Sequence, residues 1–128
     1  MDEVAEALRE ALEDALRGKG GWRDAYATLL QPPRHPLALR EGPCSTSVSR
    51  ILRRALRELG LLCRLYCRRD DAAGPAYLAD CLYGGTPVAV ALEVDIDPET
   101  GDVNLVGVYA RAESRWPRHL LARYRPLE

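Results

Sequence analysis

The sequence has no phenylalanine, one methionine, two histidines and a single lysine among its 18 basic residues. No apolar run approaches the roughly 20 residues that a membrane-crossing helix needs, so a spanning helix is excluded. The four cysteines, Cys44, Cys63, Cys67 and Cys81, form no CxxC pair and have no histidine at zinc-ligand spacing, so a zinc site is not expected. The start, Met1-Asp2-Glu3-Val4, is acidic and passes at once into a polar helix, the opposite of a secretory leader. An intracellular, cytoplasmic protein without a membrane partner is expected. Internal repeats and low-complexity tracts are also lacking.

What is present fits one domain spanning 1–128: 128 residues, 47% apolar and 29% charged, enough for one core. The net charge of −1 conceals strong segregation along the chain. Residues 1–33 carry seven acids and four bases, 34–69 nine bases and two acids, 70–110 eight acids and no base, and 111–128 five bases and two acids. These nets, −3, +7, −8 and +3, sum to −1.

Periodicity divides the chain into a helical part (about 1–60), a sheet part (about 61–110) and a tail (111–128). Val4, Leu8, Leu12 and Leu16 form one stripe of a helix over 2–17, and Glu3, Glu6, Glu10 and Glu13 another. Residues 22–30 read as a short second helix, ended by Gln31-Pro32-Pro33. A third helix over 47–59 places Val48, Ile51, Leu52, Ala55, Leu56 and Leu59 on one side and Arg50, Arg53, Arg54 and Arg57 on the other. After Gly60 the period changes to two, predicting strands at about 61–68, 76–83, 87–96 and 102–110 joined by short turns. Asp97-Pro98-Glu99-Thr100-Gly101 is a hairpin signal, because proline presets a turn φ and glycine accepts the left-handed position. A short helix is expected from Pro117 in the tail, which carries His119. The expected fold is α+β in two layers, helices packed on a four-stranded antiparallel meander.

Alternation within the strands predicts one apolar and one charged, open sheet face. Cys63, Leu65 and Cys67 oppose Arg64, Tyr66 and Arg68, while Val90, Leu92, Val94 and Ile96 oppose Glu93 and Asp95. Pairing the first two strands about their turn sets Arg64 beside Asp80 and Cys63 beside Cys81. The cysteines then read either as small apolar core residues of a reducing compartment or, for Cys63 and Cys81, as a cross-strand bridge suited to a hyperthermophile's cytosol. Cys63 and Cys67, about 13 Å apart by strand rise, cannot bridge each other.

The segment from Ala79 to Asp95, with Asp80 on one strand and Glu93 on the next behind small apolar residues, resembles the hairpin of PD-(D/E)xK nuclease-like domains, in which an Asp near the start of one strand and a Glu in the next collect around a divalent ion. The resemblance covers about residues 47–96, with Asp95 standing where the motif has lysine. It implies Asp80, Glu93 and Asp95 as a catalytic and metal-binding set holding Mg²⁺ or Mn²⁺ for phosphodiester cleavage. A second enzymatic reading is similar to barnase-like ribonucleases and mRNA-cleaving toxins: Glu93 as general base, His119 or His35 as acid, Arg64 and Arg68 on the phosphate, and no metal.

The competing class is a small accessory or interaction protein of the viral or mobile-element kind, acting through charged surfaces. Arg50, Arg53, Arg54, Arg57, Arg64 and Arg68 are its partner-binding or nucleic-acid-binding candidates. The Arg stripe of the third helix could dock on the Glu stripe of the first helix or of a second copy, giving a homodimer. A cofactor, Mg²⁺ or Mn²⁺, enters only with the nuclease-like reading.

Overall fold

The computed structural model describes residues 2–31 and 42–127. Helix α1 (Glu3–Leu16) starts where the Asp2 carboxylate accepts the Val4 N–H at 3.0 Å, with Glu3 and Glu6 favourably placed against the N-terminal dipole. Val4, Ala5, Leu8, Ala11, Leu12 and Ala15 form its buried stripe. Helix α2 (Thr46–Glu58) follows a 3₁₀ turn (Gly42–Cys44) and is capped by buried Ser45, whose hydroxyl accepts the Val48 N–H at 3.2 Å. It ends in a Schellman arrangement, with Leu61 N–H on Leu56 C=O at 3.1 Å and Gly60 left-handed at φ 83°.

The strands are β1 (Gly21–Leu30), β2 (Leu62–Arg68), β3 (Tyr77–Tyr83), β4 (Thr86–Ile96), β5 (Val103–Ala112) and, after the one-turn helix α3 (Arg118–Leu121), β6 (Tyr124–Leu127). They form one antiparallel sheet in the order β1-β5-β4-β3-β2-β6. The expected β2–β5 meander is therefore its centre, and the predicted hairpin tip is closed by Asp97 N–H on Asp102 C=O and Gly101 N–H on Asp97 C=O, both 2.8 Å. Both α-helices α1 and α2 lie on one face: α1 over β1 and β5, α2 toward β2, each touching the other. Val48, Leu52, Leu56, Leu65, Ala79, Val90, Leu92, Leu105 and Val108 fill the space between the layers. Among the described residues no helix is long and apolar enough to cross a membrane.

Five expectations are corrected. Residues 22–30 form strand β1, not a helix, because they find a ladder with β5, Trp22 opposite Tyr109 and Ala27 opposite Leu105. That partner lies some 80 residues away and leaves no local trace, although Trp, Tyr and Thr in this stretch favour strands. The sheet thus has six strands rather than four. The tail helix is a single turn, after which Tyr124–Leu127 pairs with Leu65–Arg68 as β6.

The second sheet face is also not open. Residues 112–123 fold back across it: Trp116 donates its indole N–H to Ala79 C=O (3.1 Å) and Val90 C=O (2.9 Å), and its ring lies 5.3 Å from that of Tyr109. With Tyr66, Leu120 and Leu121 they cover Leu78, Ala91 and Tyr124, a second small core. Finally, all four cysteines are paired. Cys63–Cys81 joins directly opposed positions on β2 and β3, as the register predicted, and Cys44–Cys67 ties the 3₁₀ turn to β2. The reading of all four as thiol core residues does not hold.

Candidate functional site

Asp80 and Glu93 stand on neighbouring strands of the second face, as expected, but at different heights. In the β3–β4 register Asp80 faces Ala89 and Tyr77 faces Leu92, so it is Ala76 that lies beside Glu93. Four residues separate Asp80 and Glu93 along the sheet, about 13 Å between their backbone positions at a rise of ~3.3 Å per residue. Two ligands of one divalent ion must lie within about 5 Å of each other. Among the described residues no group of three His, Cys, Asp or Glu is gathered to hold a metal ion. The structure thus does not gather Asp80, Glu93 and Asp95, the set that the nuclease-like resemblance implied, into one metal-ligand group.

Each of the two inner carboxylates has a local task instead. Asp80 Oδ1 accepts the backbone N–H of Trp116 at 2.9 Å, anchoring the folded-back arm. Its cross-strand neighbour is Arg64, as the register predicted, yet among the described residues no ion pair joins them. Glu93 lies where the β4–β5 ladder breaks register, with Val106 as the additional residue of β5. Its Oε1 accepts the N–H of Val94, at the irregularity, at 3.0 Å, and that of Ala76, on the β3 side, at 3.3 Å. Asp95 is exposed two residues on; it and Glu93, but not Asp80, line a shallow groove of about 540 Å³ with Arg68, Val94, Ile96 and Val106. Arg68 also donates to Gly74 C=O. Beside this groove, in register with Asp95, Asn104 is buried with its Oδ1 unpartnered, a residue that strand alternation did not single out. His119 is exposed on α3, and His35 lies outside the described residues.

The arginines of α2 converge more closely. Arg50, Arg53 and Arg57 recur at i, i+3 and i+7, one side of a helix, and with Arg125 of β6 they surround a cavity of about 620 Å³. Thr46 and Ser49 contribute hydroxyls, and Cys44, Pro126 and Leu127 supply apolar wall. Ser49 hydroxyl pairs with the Tyr77 hydroxyl at 3.1 Å. Burial pushes the Tyr77 phenol up to about 12, against the opposing effects of Ser49 and the Arg125 charge. Arg54, further round the helix, is taken by Glu58 at 3.0 Å. Among the described residues no ion pair joins Arg50, Arg57 or Arg125 to an acid, and none links Arg50, Arg54 or Arg57 to the glutamates of α1. Arg125 escaped the sequence reading because β6 did; the only signal was a four-residue alternation at the chain end.

No protein-family model matches this chain, and neither curated proteins nor solved structures contain a significant match to it.

Proposed function

We propose that this is an interaction protein, and that its arginine-lined groove between α2 and β6 grips an acidic segment of a protein partner. The observation that carries the reading is the convergence of Arg50, Arg53, Arg57 and Arg125, from two separate elements, on one cavity. Guanidinium groups held around a concavity present forked donors that match carboxylates two at a time. Arg50 and Arg57 span about 10 Å at ~1.5 Å per residue, the reach of a short peptide rather than of an extended nucleic-acid backbone. The apolar wall of Pro126 and Leu127 suits side chains interspersed among the acids. A viral or mobile-element accessory role is compatible with such a surface. Two disulfides in a cytoplasmic protein would place its host among hyperthermophiles.

The test is fluorescence anisotropy with a glutamate-rich peptide and a single-stranded oligonucleotide of equal charge. The peptide is expected to bind more tightly, and Arg50→Glu with Arg57→Glu to weaken it by at least about tenfold, or ~1.4 kcal/mol. Preference for the oligonucleotide would move the reading to nucleic acid. Nicking of DNA or RNA with Mn²⁺, lost in Glu93→Gln, would replace it with the nuclease-like reading.

A further inference from the structure

The two edges of the sheet are finished differently. At one end β6 is four residues long and carries Pro126, a residue without an N–H to offer; short strands and prolines are the usual protection of an exposed edge. At the other end β1 is ten residues long and contains no proline or lysine; among the described residues it pairs with β5 alone, with register shifts between Asp24 and Ala27 and between Thr28 and Leu30. Among the described residues nothing pairs with its outer edge. Trp22 and Tyr26 on this strand are 51% and 68% exposed, among the largest apolar surfaces left on the molecule. Trp22 is held flat over Gly107, where any side chain would collide with the indole, and its Nε1 donates to Asp24 at 3.1 Å.

Alongside this edge runs a groove of about 300 Å³ between α1 and β1, lined by Glu3, Glu6, Ala7 and Glu10 from the helix and by Arg23, Asp24, Ala25 and Tyr26 from the strand. Arg23 is already engaged, by Glu10 at 3.2 Å and Asp14 at 3.0 Å. Glu3 and Glu6 are exposed, and among the described residues no base pairs with either.

From the open edge, the exposed aromatics and the flanking charge together we infer that β1 is a strand-addition site for an extended segment of a partner protein carrying alternate basic residues. Backbone groups of the incoming segment complete the ladder of β1, one set of its side chains reaches Glu3, Glu6 and Tyr26 along the groove, and the alternate set lies against Trp22. Charge decides against a second copy as occupant. Pairing β1 with β1 of another molecule would bring two acidic grooves together, which costs free energy that a basic segment instead recovers. This site is separate from the arginine groove and carries charge of the opposite sign.

The probe is a short fluorescent peptide in which lysine and valine alternate, added to the full chain. Saturable binding is expected, with loss of at least about tenfold when the central peptide nitrogens are methylated at unchanged charge, and a similar loss for the doubly substituted Glu3→Gln, Glu6→Gln protein. Arg50→Glu with Arg57→Glu should leave this binding intact while removing that of the glutamate-rich peptide, so failure of one site is distinguishable from failure of the other. Amide exchange should slow along 21–30 when the peptide is bound. Equal binding of the methylated peptide would reduce the effect to charge attraction and overturn the proposal. So would equal binding of a glutamate–valine peptide, or no binding at millimolar peptide. A dimer abolished by Tyr26→Glu would assign the edge to a second copy instead.

Discussion

Asp80 accepts the backbone N–H of Trp116 at 2.9 Å, across 36 residues of sequence. The carboxylate holds the arm 112–123 on the second sheet face, where the Trp116 indole N–H reaches two further carbonyls. Removing the acceptor strands one donor and loosens the arm. Asp80→Ala is expected to destabilise the protein by about 1–3 kcal/mol and to shift Trp116 fluorescence to the red, as more water reaches the ring. Denaturant melts and emission spectra, with Trp22→Phe as background, check both. An unchanged spectrum would show that the indole contacts alone hold the arm.

The two sides of α2 should respond very differently to truncation. Leu56 is 2% exposed at the centre of the core, and Leu56→Ala is expected to cost about 2–5 kcal/mol. Arg54 has only an exposed i,i+4 pair with Glu58, so Arg54→Ala should stay within about 0.5 kcal/mol. Equal losses in urea melts would mean that the helix is rotated from the orientation described.

How much of this architecture the sequence discloses depends on the range of the forces involved. The α2 faces, the change of period after Gly60, the β2–β3 register and the Asp97–Gly101 turn are all local patterns, and all four are present in the structure. Strand β1 is not local. Its ten residues contain enough Ala and Leu to read as a helix, and only the distant β5 ladder decides otherwise. The same holds for β6, whose pairing with β2 brings Arg125 to the α2 arginines. For the carboxylates, alternation gave the correct face of the sheet for Asp80 and Glu93 but not their height along it. Height is a matter of register, and Tyr77 opposite Leu92 puts four residues between them.

Both disulfides should be measurable as stability. Cys63–Cys81 closes a separation of 18 residues and Cys44–Cys67 one of 23. Loops of this size are each worth about 3 kcal/mol in the chain-entropy account. Alkylation of the denatured, unreduced protein is expected to label no cysteine, and reduction to lower stability by roughly 2–4 kcal/mol per bridge. Four labelled thiols without reductant would return the cysteines to the role of plain core residues.

Tyr77 gives the protein a defined alkaline limit. Its phenol, hydrogen-bonded to Ser49, is raised by burial from 10.0 to about 12. The folded chain then holds this proton more tightly than the unfolded chain, so the associated stability is fully present below pH 10 and declines as the pH rises toward 12. Two pH units correspond to about 2–3 kcal/mol at ~1.4 kcal/mol per unit. Tyr124, which donates to Pro75 C=O at 2.6 Å, is also raised by burial and adds to the same decline. Chemical denaturation from pH 9 to 12 should therefore show a falling stability that Tyr77→Phe flattens in part and Tyr77→Phe with Tyr124→Phe flattens further. Tyr77→Phe also removes the Ser49 hydrogen bond, a loss of about 1 kcal/mol that appears at every pH and separates that contact from the titration. A Tyr77→Phe profile as steep as that of the wild type would show that the phenol ionises in the folded protein as readily as in the unfolded chain.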